Sequence, residues 1–265
     1  MGLIQILKTY KIITMKKPYL IILLLSILIS CDSSDDSSDN EDGNNTTEAI
    51  RLIEIKLTAY YNGNSAINNL SYQYDENYKL EQAISENENG IFTTNYFYTG
   101  DNITLLEYSN GQSRDYIYEN GLIVNSTHSF SNSSTTYQYL YNSSQQMIQQ
   151  GVVVGQDLSC IKSYQYDIND NPILTEDPCN SFTYEIDYDS KNNPFNALLP
   201  NNFLKVAPIG KNNATTYVNE VYSNGDTIIH ITTTSMEYNS DDYPTKILYY
   251  NEAGELQSME EYFYE

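Results

Sequence analysis

Tryptophan is absent from the chain, histidine occurs twice, cysteine three times, and only 13 basic residues face 35 acidic ones. Each shortage excludes something. Phosphate backbones are held by clustered Lys and Arg, so a net charge of −22 removes nucleic acid from the partners. The two histidines stand in Ser126-Thr127-His128-Ser129 and Ile229-His230-Ile231, far apart and without metal-ligand spacing, so no metal is expected. No H-E-x-x-H, G-x-S-x-G, C-x-x-C, phosphate-binding loop or dinucleotide glycine pattern occurs. No cofactor is expected, no catalytic residue can be named, and the chain reads as a non-enzyme. The many acids leave a carboxylate-dependent glycoside hydrolase, or another extracytoplasmic hydrolase, as the alternative, with no pair singled out.

The scarce cations are unevenly placed. Residues 1–30 hold Lys8, Lys11, Lys16 and Lys17 and no acid. From Met15 the chain reads MKKPYLIILLLSILIS and then Cys31. Two lysines precede an apolar run too short to span a bilayer comfortably, and small Ser30 precedes the cysteine. Leu28-Ile29-Ser30-Cys31 resembles the lipobox of bacterial lipoproteins. The resemblance implies a signal peptide over 1–30, cleavage before Cys31, and a lipid anchor on that residue, with Met15 as the natural start.

The next stretch, DSSDDSSDNEDGNNTTE, contains no apolar residue. It cannot bury surface, and it reads as an acidic flexible tether over 31–48. It is not a calcium loop: around Gly43 the first and last ligand positions are Ser38 and Ala49 in place of acids. An acidic run after a lipidated cysteine also resembles the surface-export signal of some Gram-negative lipoproteins. The expected location is therefore the outer membrane, exposed at the cell surface, with the periplasmic face as alternative.

From residue 49 to 265 the composition becomes that of strands and hairpins, and no useful window has helical apolar spacing. A Y-x-Y core recurs at Tyr72/Tyr74, Tyr96/Tyr98, Tyr116/Tyr118, Tyr137/Tyr139, Tyr164/Tyr166 and Tyr262/Tyr264. A tyrosine followed directly by turn residues occurs at Tyr74, Tyr98, Tyr118, Tyr141, Tyr166, Tyr188, Tyr222, Tyr238 and Tyr250. After each turn an aliphatic run begins. Every unit of about two dozen residues thus reads as a hairpin: Tyr strand, turn, aliphatic strand. Residues two apart share a strand face, so both tyrosines of a pair lie on one face, expected to be the more buried one. Whether Tyr72, Tyr74, Tyr96, Tyr98, Tyr116, Tyr118, Tyr164 and Tyr166 serve as core or as a ligand-facing aromatic row is left open by the sequence.

Y-x-Y-D followed by a turn and an aliphatic residue resembles the YD repeat of Rhs-type cell-surface proteins. In an acidic lipoprotein of this length it is also similar to a family of unknown function described as porin-like in fold. The resemblance implies an antiparallel β architecture and a surface setting, and no activity. The expected fold is all-β: a single repeat domain, a hairpin meander strongly curved or closed into a barrel, soluble and outside the bilayer. A membrane-spanning barrel would need a continuous apolar outer face, which Gln, Asn, Ser and Glu interrupt in nearly every candidate strand.

Two cysteines remain, in a chain read as exported. If the turn after Tyr166 centres on Asn169-Asp170, Cys160 and Cys179 fall opposite each other, which predicts a disulfide. The functional expectation is a lipid-anchored surface module that binds or supports something, a polysaccharide or a surface protein.

Overall fold

The computed structural model describes residues 50–265, apart from residues 62, 207, 208, 224 and 225. The expected signal peptide, Cys31 and the tether lie outside the described residues. Among these residues sixteen strands follow one another: β1 (Leu52–Tyr61), β2 (Asn64–Tyr74), β3 (Leu80–Asn87), β4 (Gly90–Thr99), β5 (Asn102–Tyr108), β6 (Ser113–Glu119), β7 (Leu122–Ser129) and β8 (Ser134–Tyr141) form the first half. The second half is β9 (Met147–Val154), β10 (Asp157–Tyr166), β11 (Pro172–Asp177), β12 (Phe182–Asn192), β13 (Asn212–Ser223), β14 (Asp226–Tyr238), β15 (Pro244–Tyr250) and β16 (Leu256–Tyr264). Each strand pairs antiparallel with its sequence neighbours, and β16 pairs with β1, so the meander closes into a barrel. Closure removes the free sheet edges that would otherwise invite pairing with other chains.

The expected hairpin unit is the building block, with the tyrosines on the even strands and the aliphatic runs on the odd ones. At the end of most Tyr strands the pairing skips a residue between the middle residue and the second tyrosine, as at Gln73/Tyr74, Phe97/Tyr98, Ile117/Tyr118, Leu140/Tyr141 and Gln165/Tyr166. Such bulges bend and twist the sheet, which a closed wall requires. The turn that follows is also repeated. Asp75 Oδ1 accepts the N–H groups of Asn77 and Lys79, both at 2.8 Å, and Asp167 Oδ1 accepts those of Asn169 and Asn171 at 2.8 Å. Tyr78 and Asp170 take the left-handed conformation that closes these turns.

The second tyrosine of each unit then ties the wall together. Its hydroxyl donates to the carbonyl at the start of the preceding aliphatic strand: Tyr98 to Leu80 at 2.9 Å, Tyr118 to Ile103 at 2.8 Å, Tyr141 to Ile123 at 2.7 Å. Tyr74, Tyr166, Tyr188 and Tyr264 do the same to Leu52, Met147, Pro172 and Pro244. We call this end of the barrel the corner end. In the remaining unit Tyr238 donates to the Asp189 carboxylate instead.

Two expectations need correction. Tyr222 and Tyr250 do not end repeat units; they close β13 and β15 at the opposite end of the barrel, and the eighth corner tyrosine is Tyr264. The reason is an insertion between β12 and β13. There Asn193 caps a single 3-10 turn (Pro194–Ala197), followed by a four-residue helix α1 (Asn201–Leu204). Neither is long enough to show helical periodicity. This segment turns into the corner end of the lumen. Leu198, Phe203 and Leu204 are buried against the first aliphatic residues of the odd strands, among them Leu52, Leu80, Ile103 and Met147, and the Phe203 ring meets Tyr116 edge-on at 4.9 Å. The insertion is a plug. Gly210 seals it: a Cβ there would lie 2.8 Å from Asn171 Oδ1 and closer still to the Tyr188 ring.

Candidate functional site

Period-two alternation sorts the wall into two chemistries. Outward residues at mid-strand are polar or charged, including Glu54, Lys56, Glu107, Asp115, Glu185 and Glu261, with Lys56 Nζ 3.8 Å from Glu261. The lumen holds the aliphatic and aromatic residues. A sixteen-strand barrel is wide enough for an aqueous channel. Here the first tyrosine of each pair fills it: Tyr72, Tyr116, Tyr139, Tyr164 and Tyr262 are buried. All eight tyrosines named from the sequence face the lumen, so the row is interior to the wall. Burial pushes the hydroxyls of Tyr72, Tyr96, Tyr116 and Tyr262 above the ordinary tyrosine range, so they remain neutral hydrogen-bonding groups at physiological pH.

One step further from the corner end lies a layer that sequence reading missed. It is the residue four before each corner tyrosine, on the same strand face. In most units it is uncharged, as Leu70, Thr94 and Tyr137 are; in three it is ionisable: Arg114, Lys162 and Glu260. The spacing x-x-Y-x-Y, read with the inward alternation, would have found it.

Each charge is handled differently. Arg114 donates to Tyr139 Oη at 2.7 Å and to Ser126 Oγ at 3.1 Å, and its guanidinium lies over the Tyr116 and Tyr137 rings at 5.6 and 5.3 Å. Lys162 Nζ sits 2.8 Å from Asp177 Oδ2, and Asn180 also donates to that carboxylate. Burial raises the Asp177 pKa, but the hydrogen bonds from Lys162 and Asn180 outweigh it and hold the group below its ordinary value. Glu260 has no cation. Its Oε2 accepts from Tyr249 at 2.8 Å and from Tyr262, and burial raises its pKa in spite of both bonds.

The end opposite the plug is the mouth. Its turns are short, as between β3 and β4, and its lumen face is aromatic. Phe92 and Phe130 are exposed there at 37% and 38%. The His128 ring lies 4.3 Å from Phe130 and 5.8 Å from Tyr108, and Phe182 meets Tyr184 edge-on at 4.8 Å. Cys160 and Cys179 are joined near this rim, Cα to Cα 5.2 Å, in register with the observed pairs Ser163–Glu176 and Tyr164–Thr175. The two histidines are not brought together: β7 and β14 lie on opposite sides of the wall, and His230 is exposed. Among the described residues no group of three His, Cys, Asp or Glu side chains could hold a metal ion.

No protein-family model matches the chain, and no curated protein matches it in sequence. Solved structures do match. A porin-like protein from Bacteroides uniformis superposes with a TM-score of 0.59 at 12% identity, covering 82% of this chain and 96% of that one. A porin-like protein from Bacteroides vulgatus gives a TM-score of 0.49 at 13% identity, covering 79% of this chain and 97% of that one. At such identity the likeness is one of fold: this chain shares the closed antiparallel barrel of the Bacteroides uniformis porin-like protein.

Proposed function

We propose that this chain is a lipid-anchored barrel displayed on the outer face of an outer membrane, acting as a non-enzymatic binding cup with degenerate Rhs-like YD repeats as its wall. The observation that carries the reading is the polarity of the barrel. Arg51 and Glu265 pair through their backbones at 3.0 Å, so both chain ends meet at the corner end, which the plug also fills. A tether running from a lipidated Cys31 into Leu52 therefore leaves the open, aromatic mouth directed away from the membrane. Charges at mid-strand on the outward face favour a barrel standing in water beside the bilayer, since each would be costly in hydrocarbon. The lumen favours binding over catalysis, because the buried carboxylates Glu260 and Asp177 are each held by structural hydrogen bonds. A polar ligand entering the mouth, from a polysaccharide or a surface protein, would meet aromatic faces at the rim and hydroxyls below.

The test is Glu88→Cys in the β3–β4 turn at the mouth, probed on intact cells with a membrane-impermeant maleimide. Labelling is expected, and the Cys31→Ser background should lose it from the cells and release the protein from the membrane fraction. Labelling that requires cell lysis, or Cys31→Ser protein that still pellets with membranes, overturns the display.

A further inference from the structure

The Glu260 carboxylate is half used. Both hydroxyls that reach it bind Oε2, and no described residue bonds Oε1. A carboxylate deep in a barrel ordinarily has a cation beside it. The other two charges of its layer are committed elsewhere, Arg114 to Tyr139 and Ser126, and Lys162 to Asp177. No Arg or Lys is among the groups whose charge acts on Glu260. The space beside it is not filled. Glu260, Tyr217 and Tyr249 are enclosed on all sides by the wall, yet each keeps solvent-accessible surface. Both can hold only if they face a hollow inside the lumen.

A second observation points into the same hollow. The Tyr72 side chain, 5% exposed, has a buried hydroxyl with no hydrogen-bond partner. It lies on the lumen face of β2, within electrostatic reach of Glu260. An orphaned buried hydroxyl costs on the order of 1–3 kcal/mol unless something meets it. Tyr72, Tyr217, Tyr249 and Tyr262 thus surround one free carboxylate oxygen with tyrosine rings and hydroxyl oxygens.

We propose that this hollow is a binding site for an organic ammonium group, with Glu260 Oε1 as counter-charge, Tyr72 Oη as hydrogen-bond acceptor and the neighbouring tyrosine rings as its walls. An ammonium supplies N–H donors for both unpaired oxygens, where a neutral alcohol supplies one O–H. Aromatic faces attract cations, most strongly where water is excluded. The net charge of −22 raises the local concentration of cations around the whole molecule. Binding changes no covalent bond. The inference rests on the cup reading only in needing an open mouth.

Methylammonium, with methanol as the neutral match, tests it on the disulfide-intact domain, followed by amide shifts in 15N-labelled protein. Methylammonium is expected to bind at least tenfold more tightly than methanol, and Glu260→Gln to weaken it at least tenfold. Tyr72→Phe should weaken it less, and Glu261→Gln, on the outward face of the same strand, not at all. Folding of each variant is checked by its thermal melt. Folded protein that ignores methylammonium, binds methanol equally well, or binds methylammonium unchanged after Glu260→Gln overturns the site. The cell-labelling result stands apart: a labelled mouth without ammonium binding removes this ligand alone, and ammonium binding without labelling removes the display alone.

Discussion

The Tyr74 hydroxyl donates to the Leu52 carbonyl oxygen at 2.7 Å, from the second tyrosine of the first pair to the first residue of the neighbouring aliphatic strand. Leu52 is itself fully buried, so its carbonyl, at the frayed end of a ladder, has little water to turn to. The bond closes one unit of the wall, and six further tyrosines among the described residues repeat it. The repeated motif is therefore a fastening device. The tyrosine supplies both the apolar ring that fills the lumen and the donor that satisfies the strand end.

This separates the two tyrosines of a pair. Tyr98→Phe removes the donor to Leu80 and strands a carbonyl, at an expected cost of about 1 kcal/mol. Tyr72→Phe removes a hydroxyl that bonds nothing in the protein and should be neutral or mildly stabilising. Urea denaturation of both variants checks the contrast. Equal losses would mean that the corner bonds contribute nothing specific.

The plug predicts a second result. At Gly210 a methyl group would press on the Tyr188 ring and on Asn171 Oδ1, and Asn171 is buried with its amide bonded to Asp167 and Asn212. Gly210→Ala should destabilise by roughly 1–3 kcal/mol, the cost of overpacking a closed site. Proteolysis should then cut the 193–211 segment sooner than in the wild type. Unchanged melting and unchanged cleavage would show that the seal is looser than its contacts imply.

How much of this was readable in the chain depends on the length scale of each feature. The hairpin unit, the inward tyrosines and the Cys160–Cys179 register were legible because period-two alternation and turn chemistry are local. The plug was not, because a helix of four residues leaves no periodic trace and its apolar residues resemble one more strand. The plug also broke the count of units. Tyr250 precedes an asparagine turn at the mouth in which Asn251 Oδ1 accepts from Ala253 at 3.0 Å and Glu255 at 2.9 Å, the same chemistry as at the corner end. A tyrosine before a turn therefore cannot report which end of the barrel it occupies. Glu260 was hidden among 35 acids. Only its place four residues before a corner tyrosine distinguishes it.

The mouth is braced by the disulfide. Its cysteines are 19 residues apart, and closing a loop of that size is worth about 3 kcal/mol in the chain-entropy account. Replacing both by serine should lower the urea midpoint accordingly while the corner end, remote from the bridge, keeps its amide protection. Hydrogen exchange resolved by strand would show it; uniform loss around the barrel would contradict a local brace.

Beside that bridge, Lys162→Met leaves Asp177 buried without its cation, at a cost of about 3 kcal/mol near neutral pH. The sign with pH follows from the lowered pKa of Asp177. A carboxylate held below its unfolded value contributes stability above that unfolded value, and the contribution is lost as pH falls through the folded one. The gap between wild type and variant should therefore narrow below the ordinary carboxylate range. A gap independent of pH would assign the loss to lysine packing on Phe182, whose ring lies 5.6 Å from Nζ.

Glu260 should behave in the opposite sense. Burial raises its pKa in the folded barrel above the unfolded value, against the bonds from Tyr262 and Tyr249. Above the folded pKa the native state must keep an enclosed carboxylate ionised, and the penalty is fully present. As pH falls through that value the native state takes up a proton before the unfolded chain does, and the penalty is progressively relieved until the unfolded group titrates too. Glu260→Gln keeps an oxygen for the two tyrosine donors and removes the charge. The variant should thus be the more stable protein at pH 8, and its advantage should shrink on acidification. Other carboxylates cancel in the difference between the two proteins. Urea unfolding of both at pH 8 and near pH 4.5 measures it, and an advantage that grows toward acid would mean that the lumen stabilises the charged form.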